Sequence, residues 1–185
     1  IAYSNRDNLI QIACNGVMSR CGRNEKTPRG MGGMQRYIEF RAPHRAVMDR
    51  RDIAPPETDE ALIETRVSGI SLGTERMWLD GTATALRAGR RAYPYRPGYA
   101  LVGRVAAIGG AFDALAVGTR VFAMKPHGSH ATVRPHDPWV ALPDRVDDDD
   151  AVAIALTATA LHAIHRSAMT VGDGALVAGL GALGF

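Results

Sequence analysis

From Gln35 to Pro143 the chain is cut by proline and glycine into short apolar runs, and this punctuation constrains its fold more than any other feature. Runs of this length suit strands, whereas a packed helix needs about ten or more residues of 3.6-residue periodicity. Residues 36–40 and 45–48 flank Pro43 and read as a hairpin, which Pro55 and Pro56 terminate. Over residues 60–69, Leu62, Glu64 and Arg66 alternate with Ala61, Ile63, Thr65 and Val67, so one face can be buried in a sheet. Residues 98–109 are mostly apolar, and Gly98, Gly103, Gly109 and Gly110 imply tight bends or close backbone approach. Residues 119–124, 131–133 and 139–142 add further short strands. Together they predict a mainly β unit over residues 34–149, folded as a small, irregular β-barrel.

The character changes at Asp147, Asp148, Asp149 and Asp150, which precede an alanine-rich run. Carboxylates there oppose the positive end of a helix dipole and accept its unpaired N–H groups. They lack the alternating ligands and glycine of a calcium loop. The pattern predicts a helix over 150–168, broken near Thr157, then a turn at 172–174 and a buried strand at 175–178. The strand runs into Gly179, Gly181 and Gly184, spaced as G-x-G-x-x-G. In a dinucleotide fold the first glycine makes the turn, the second lets a pyrophosphate approach the backbone, and the third lets helix and strand pack. An ordinary glycine-rich strand end is the alternative. The position about twenty residues on, where an acidic side chain selects NAD and a basic one NADP, falls beyond Phe185, so that choice stays open.

Composition narrows the function classes. The longest apolar stretch, residues 151–164, is interrupted by Thr157, Thr159 and His162, and it is shorter than the roughly 20 residues a membrane span needs. A cytoplasmic protein without a membrane partner is expected. The formal charge of +3 comes entirely from residues 1–33, where Arg6, Arg20, Arg23, Lys26 and Arg29 outnumber Asp7 and Glu25. A nucleic-acid partner is therefore not expected of the remainder. Residues 1–33 show no sustained period and no signal-peptide core. They read either as a non-native or disordered extension upstream of a start at Met31 or Met34, or as a basic arm. Cys14 and Cys21 lie in the same segment at a spacing that matches no common zinc or redox pattern.

Four landmarks now stand in order: residues 65–75 (TRVSGISLGTE), 93–105 (YPYRPGYALVGRV), 117–122 (VGTRVF) and the glycine motif. In that order they resemble the medium-chain dehydrogenase/reductase family over residues 34–185. The resemblance implies a GroES-like catalytic barrel over 34–149, then, over 150–185, a linker helix and the start of a truncated NAD(P)-binding Rossmann domain. It implies an oxidoreductase that moves hydride between NAD or NADP and an alcohol, carbonyl or activated alkene. It also implies a small-molecule substrate, a homodimer as one form open to the full-length protein, and a fragment that is expected to be inactive by itself. Zinc-dependent members have Gly-Ile-Cys-Gly-Thr-Asp and Gly-His-Glu where this chain has Gly69-Ile-Ser-Leu-Gly-Thr-Glu75 and Gly98-Tyr99-Ala100. The thiolate and imidazole are replaced by poor zinc ligands, so no catalytic zinc is expected. Residues 68–75 (SGISLGTE) with Pro97-Gly98-Tyr99 resemble the zinc-lacking branch that includes bacteriochlorophyllide a dehydrogenase.

The resemblance puts Ser71, Thr74, Glu75 and Tyr99 near the nicotinamide, and Thr157, Gly179, Gly181, Leu183 and Gly184 against the cofactor. Thr74 or Tyr99 would donate to the substrate oxygen while Glu75 orients the donor. Alternatively Ser71 and Thr74 satisfy a turn and Tyr99 packs in the barrel. His127, His130 and His136 have no accompanying cysteine and sit among Pro126, Gly128 and Pro135, so a solvated or hydrogen-bonded loop is expected rather than a metal site. His162 is expected to be packed on its helix. The rival to the enzyme reading is a non-catalytic binding or scaffold module that retains the barrel.

Overall fold

The computed structural model of the chain describes residues 2–4, 11–12, 33–179, 181, 183 and 184. In order these fold as β1 (Ala2–Ser4), β2 (Gln11–Ile12), β3 (Met34–Ala42), β4 (Arg45–Asp52), β5 (Ala61–Gly69), α1 (Leu72–Leu79) and α2 (Thr84–Arg87). Then come β6 (Leu101–Ile108), β7 (Arg120–Ala123), β8 (His130–Val133), β9 (Trp139–Ala141), α3 (Asp148–Ala151) and α4 (Ile154–Ser167). The alternating stretch forms β5, the centre of an antiparallel sheet. It pairs with β6 along one edge, and its other edge is shared by β8 over residues 61–64 and β1 over residues 67–69. β7 and β9 extend the sheet beyond β6, and β2 extends it beyond β1.

Alternation decides where the core sits. Ala61, Ile63, Thr65 and Val67 are buried while Glu64 and Arg66 face solvent, and Leu62 is buried as well. β6 is covered on both faces only over residues 101–103; beyond them Arg104, Ala106 and Ile108 face solvent while Val105 stays buried. Leu101 and Val105 join Ile63, Phe112, Val121 and Val133 in one cluster, while Ala100 and Val102 join Phe122 and Ala151 in another. Each buried aliphatic side chain contributes about 1.5–3 kcal/mol. At Gly103 a β-carbon would stand 2.3 Å from the Glu64 carbonyl oxygen, so only glycine lets β5 and β6 approach at this bulge.

The hairpin expected around Pro43 is present as β3 and β4, a separate two-stranded sheet. It attaches through bridges Tyr37–Gly128 and Phe40–Tyr95. The expected barrel does not close among the described residues. The sheet ends at β9 and β2, which are too short to carry a ladder around, and β5 branches to β1 and β8 instead of passing the sheet on through one neighbour.

Three local expectations are corrected. The break in the C-terminal helical segment falls at Val152 and Ala153, between α3 and α4, and not near Thr157. α4 then stops at Ala168, which takes a left-handed φ of 53°. The run 175–178 is not a buried strand: it has no ladder partner among the described residues, and Leu176 and Val177 are 95% and 58% exposed. An apolar run becomes a core strand only where neighbours accept its backbone groups. Finally, α1 and α2 were not anticipated. Most of residues 1–33, with Cys14, Cys21 and Met31, lies outside the described residues.

Candidate active site

The site is assembled where β5 hands over to α1. Ser68 is the penultimate residue of β5, fully buried, and its hydroxyl donates to the Ala100 carbonyl at 3.0 Å. The chain leaves the strand at Ile70, and Ser71 occupies the cap position of α1. Its hydroxyl donates to Thr74 Oγ1 at 3.2 Å, while its carbonyl accepts the Glu75 N–H. Glu75 thus lies in the first turn, where the helix dipole favours a carboxylate.

Glu75 does not face water. It is 6% exposed and points at His127, 2% exposed, with Oε1 3.4 Å from Nε2. His127 belongs to the loop between β7 and β8. Its N–H donates to the Pro97 carbonyl at 2.8 Å, and its carbonyl accepts the Ile38 N–H. Gly98 has a φ of 102°, and a β-carbon there would stand 2.6 Å from the His127 nitrogen and 2.7 Å from its ring. The absent side chain is what lets the imidazole in.

The other ring nitrogen, Nδ1, is 2.5 Å from the Ser68 hydroxyl. Because that hydroxyl spends its only proton on Ala100, the proton between serine and imidazole must sit on Nδ1. Neither Glu75 oxygen nor Nε2 makes a hydrogen bond among the described residues. The three side chains form one buried polar line, Ser68, His127 and Glu75. Of the solvated or hydrogen-bonded loop expected here, His127 takes the hydrogen-bonded form: it lies in a loop, paired with Ser68 and buried against Pro97 and Gly98.

The other predicted residues divide. Ser71, Thr74 and Glu75 come together on the first turn of α1. Tyr99 is half-buried against the cluster of Ala100, Val102, Phe122 and Ala151. Thr157 is exposed on α4. Gly179 has a φ of 101°, the Gly184 N–H donates to the Gly181 carbonyl at 3.0 Å, and a β-carbon at 184 would meet the Gly179 carbonyl at 2.1 Å. Gly181 and Leu183 are exposed. Bare backbone and a left-handed turn fit a phosphate cradle, although neither a strand before it nor a helix after it is among the described residues.

The remaining histidines stand apart. No group of three metal-ligating side chains occurs among the described residues. His136, His162 and His165 are exposed, so the packed position expected for His162 is corrected: α4 buries no residue. His130 is half-buried beside Ser129, and burial holds its imidazole below the ordinary value of 6.5, with Arg36 adding to the effect and Glu64 opposing it. The folded chain thus binds fewer protons here than the unfolded chain. Its stability should fall as pH drops through about 6.5 and level off below the lowered value. In urea melts between about pH 7.5 and 5, His130→Gln should flatten that decline; equal slopes would exclude His130 as its source.

By sequence, neither a family model nor a curated protein matches the chain. Solved structures do match its fold. The quinone oxidoreductase from Coxiella burnetii shares 15% identity at a TM-score of 0.66, over 76% of this chain and 47% of that one. The 2R,3R-butanediol dehydrogenase from Bacillus subtilis shares 16% identity at 0.65, over 75% and 49%. The Escherichia coli quinone oxidoreductase complexed with NADPH shares 18% identity at 0.60, over 71% and 41%. These neighbours are medium-chain dehydrogenase/reductases. At such identities the likeness is one of fold, and the chain spans less than half the length of each.

Proposed function

We propose that this chain carries the substrate-binding part of a medium-chain dehydrogenase/reductase that moves hydride between NAD(P) and an alcohol, carbonyl or activated alkene without catalytic zinc. The observation that carries the reading is the buried Ser68–His127–Glu75 cluster at the first turn of α1, on a fold shared with NADPH-binding oxidoreductases. Bound NAD(P) would supply the hydride. The glycine turn at Gly179, Gly181 and Gly184 would hold its pyrophosphate, with Leu183 and Thr157 alongside.

The protein's own part is proton handling. A substrate oxygen that gains charge needs a donor, and the Ser71 and Thr74 hydroxyls lie together beside the buried acid. Thr74 is favoured over Tyr99 as that donor, since the Tyr99 ring packs against the core cluster. Glu75 and His127, within ion-pair distance of one another, would relay the proton that restores the donor. Independence from zinc rests on the donor set: Ser71 and Tyr99 stand where the zinc-dependent pattern has cysteine and histidine.

The test uses the full-length enzyme. NADH or NADPH should bind, Thr74→Val should lower kcat about 100-fold, and Tyr99→Phe should leave it within a few-fold. Absence of binding by both dinucleotides would leave the non-catalytic binding module as the reading. Unchanged turnover in T74V would remove Thr74 from the mechanism.

A further inference from the structure

We propose that a groove beside this site seats an oxyanion, a carboxylate or phosphate group carried by the substrate. The inference rests on the enzyme reading for the word substrate, though not for the anion. The groove, of about 610 Å³, is lined by Arg90, Arg91 and Arg96 together with Tyr95, Gly98 and Pro126. No acidic side chain lines it.

These three guanidinium groups line one groove without a carboxylate among them. Arg41, Arg76, Arg120 and Arg134 each hold a carboxylate, whereas Arg90, Arg91 and Arg96 form no ion pair among the described residues. Arg90 and Arg91 are exposed, with both backbone N–H groups tied to the Ala85 carbonyl, so their side chains start from a fixed stretch of backbone. Arg96 is half-buried, its guanidinium 4.4 Å from the Tyr37 ring centroid and its Nε buried without a hydrogen-bond partner. Burial and the nearby Arg51 both weaken its hold on its proton, while Tyr37 and Glu39 act the other way. An entering anion would relieve that desolvated charge. Guanidinium forks match carboxylate and phosphate oxygens in geometry as well as in sign.

The groove also adjoins the Ser68–His127–Glu75 cluster. Tyr95 forms part of its wall, stacked on Trp78 from α1 at 3.9 Å between centroids. Its phenol is held above its ordinary value by burial, with Arg91 opposing and Glu75 reinforcing. Arg91 and Glu75 are thus both close enough to act on one side chain. Gly98 and Pro126, which complete the lining, flank His127 in space and in sequence. A substrate anchored by its anionic end would extend past Tyr95 toward this cluster. Substrates without such a group would lose the anchor.

The experiment is calorimetric titration of the 185-residue chain with inorganic phosphate, pyrophosphate and succinate at low and high salt. Binding of at least one should appear below about 10 mM and weaken with salt. The R90Q/R91Q double variant should bind at least about tenfold more weakly, while R145Q, which changes an exposed arginine outside the groove, should match wild type. Both altered positions are exposed, and equal thermal midpoints would confirm that the fold is kept. Succinate alone identifies a carboxylate, and phosphate or pyrophosphate alone a phosphate. No heat from any of the three, or equal affinity in R90Q/R91Q, would overturn the proposal. In the full-length enzyme R90Q/R91Q should leave NADPH affinity unchanged; parallel weakening would overturn the assignment to substrate. Failure of NADPH to bind at all would sink the enzyme reading while leaving the oxyanion result standing.

Discussion

Gly98→Ala should destabilise the chain by about 3 kcal/mol or more, through two costs that add. The backbone at Gly98 has a φ of 102°, where an L side chain is strained, and the new methyl would overlap the His127 backbone and ring. Relief requires His127 to withdraw. That breaks its pairing with Ser68 and uncovers Glu75, so the substitution should lower both the urea midpoint and any activity of the full-length enzyme. A loss below about 1 kcal/mol would mean that Gly98 does not lock the imidazole in place.

His127→Ala should cost about 3–5 kcal/mol, because it leaves the buried Glu75 carboxyl without the polar partner it faces. Ser68 is not stranded, since its hydroxyl still donates to Ala100. The effect should therefore depend on Glu75. Replacing the pair together, as His127→Leu with Glu75→Met, should return stability to within about 1–2 kcal/mol of wild type. Urea denaturation of the single and double variants decides it: a double variant as unstable as H127A would show that the imidazole contributes packing and not polar pairing.

Periodicity made most of the sheet visible beforehand. The alternation at 60–69 became β5, one residue shorter at its start, and the apolar run at 98–109 became β6 at Leu101–Ile108, three residues shorter at its start and one at its end. α1 escaped notice because Leu72–Leu79 carries Gly73 and Thr74 in its first turn and buries only Glu75, so there is no apolar stripe to read. The run 175–178 failed for the opposite reason: its residues are strand-like, yet a ladder needs neighbours that a local pattern cannot supply. In the candidate site, Ser71, Thr74 and Glu75 were within reach because they share one short segment. His127 was not, since it lies 59 residues from Ser68 and its flanking prolines and glycine suggest only a loop. Glycine at 98 was the nearest thing to a signal, because close backbone approach was expected there.

The stack of Trp78 on Tyr95 gives the molecule a built-in optical gauge. The chain has two tryptophans, and the other, Trp139, is tied by its indole N–H to the Arg134 carbonyl and packs against the sheet cluster of Ile63 and Val121. Trp78 emission should therefore change when Tyr95 moves, whereas Trp139 should provide a steady background. An anion seated in the proposed groove against Tyr95 should therefore register as a change in Trp78 emission in the unlabelled protein.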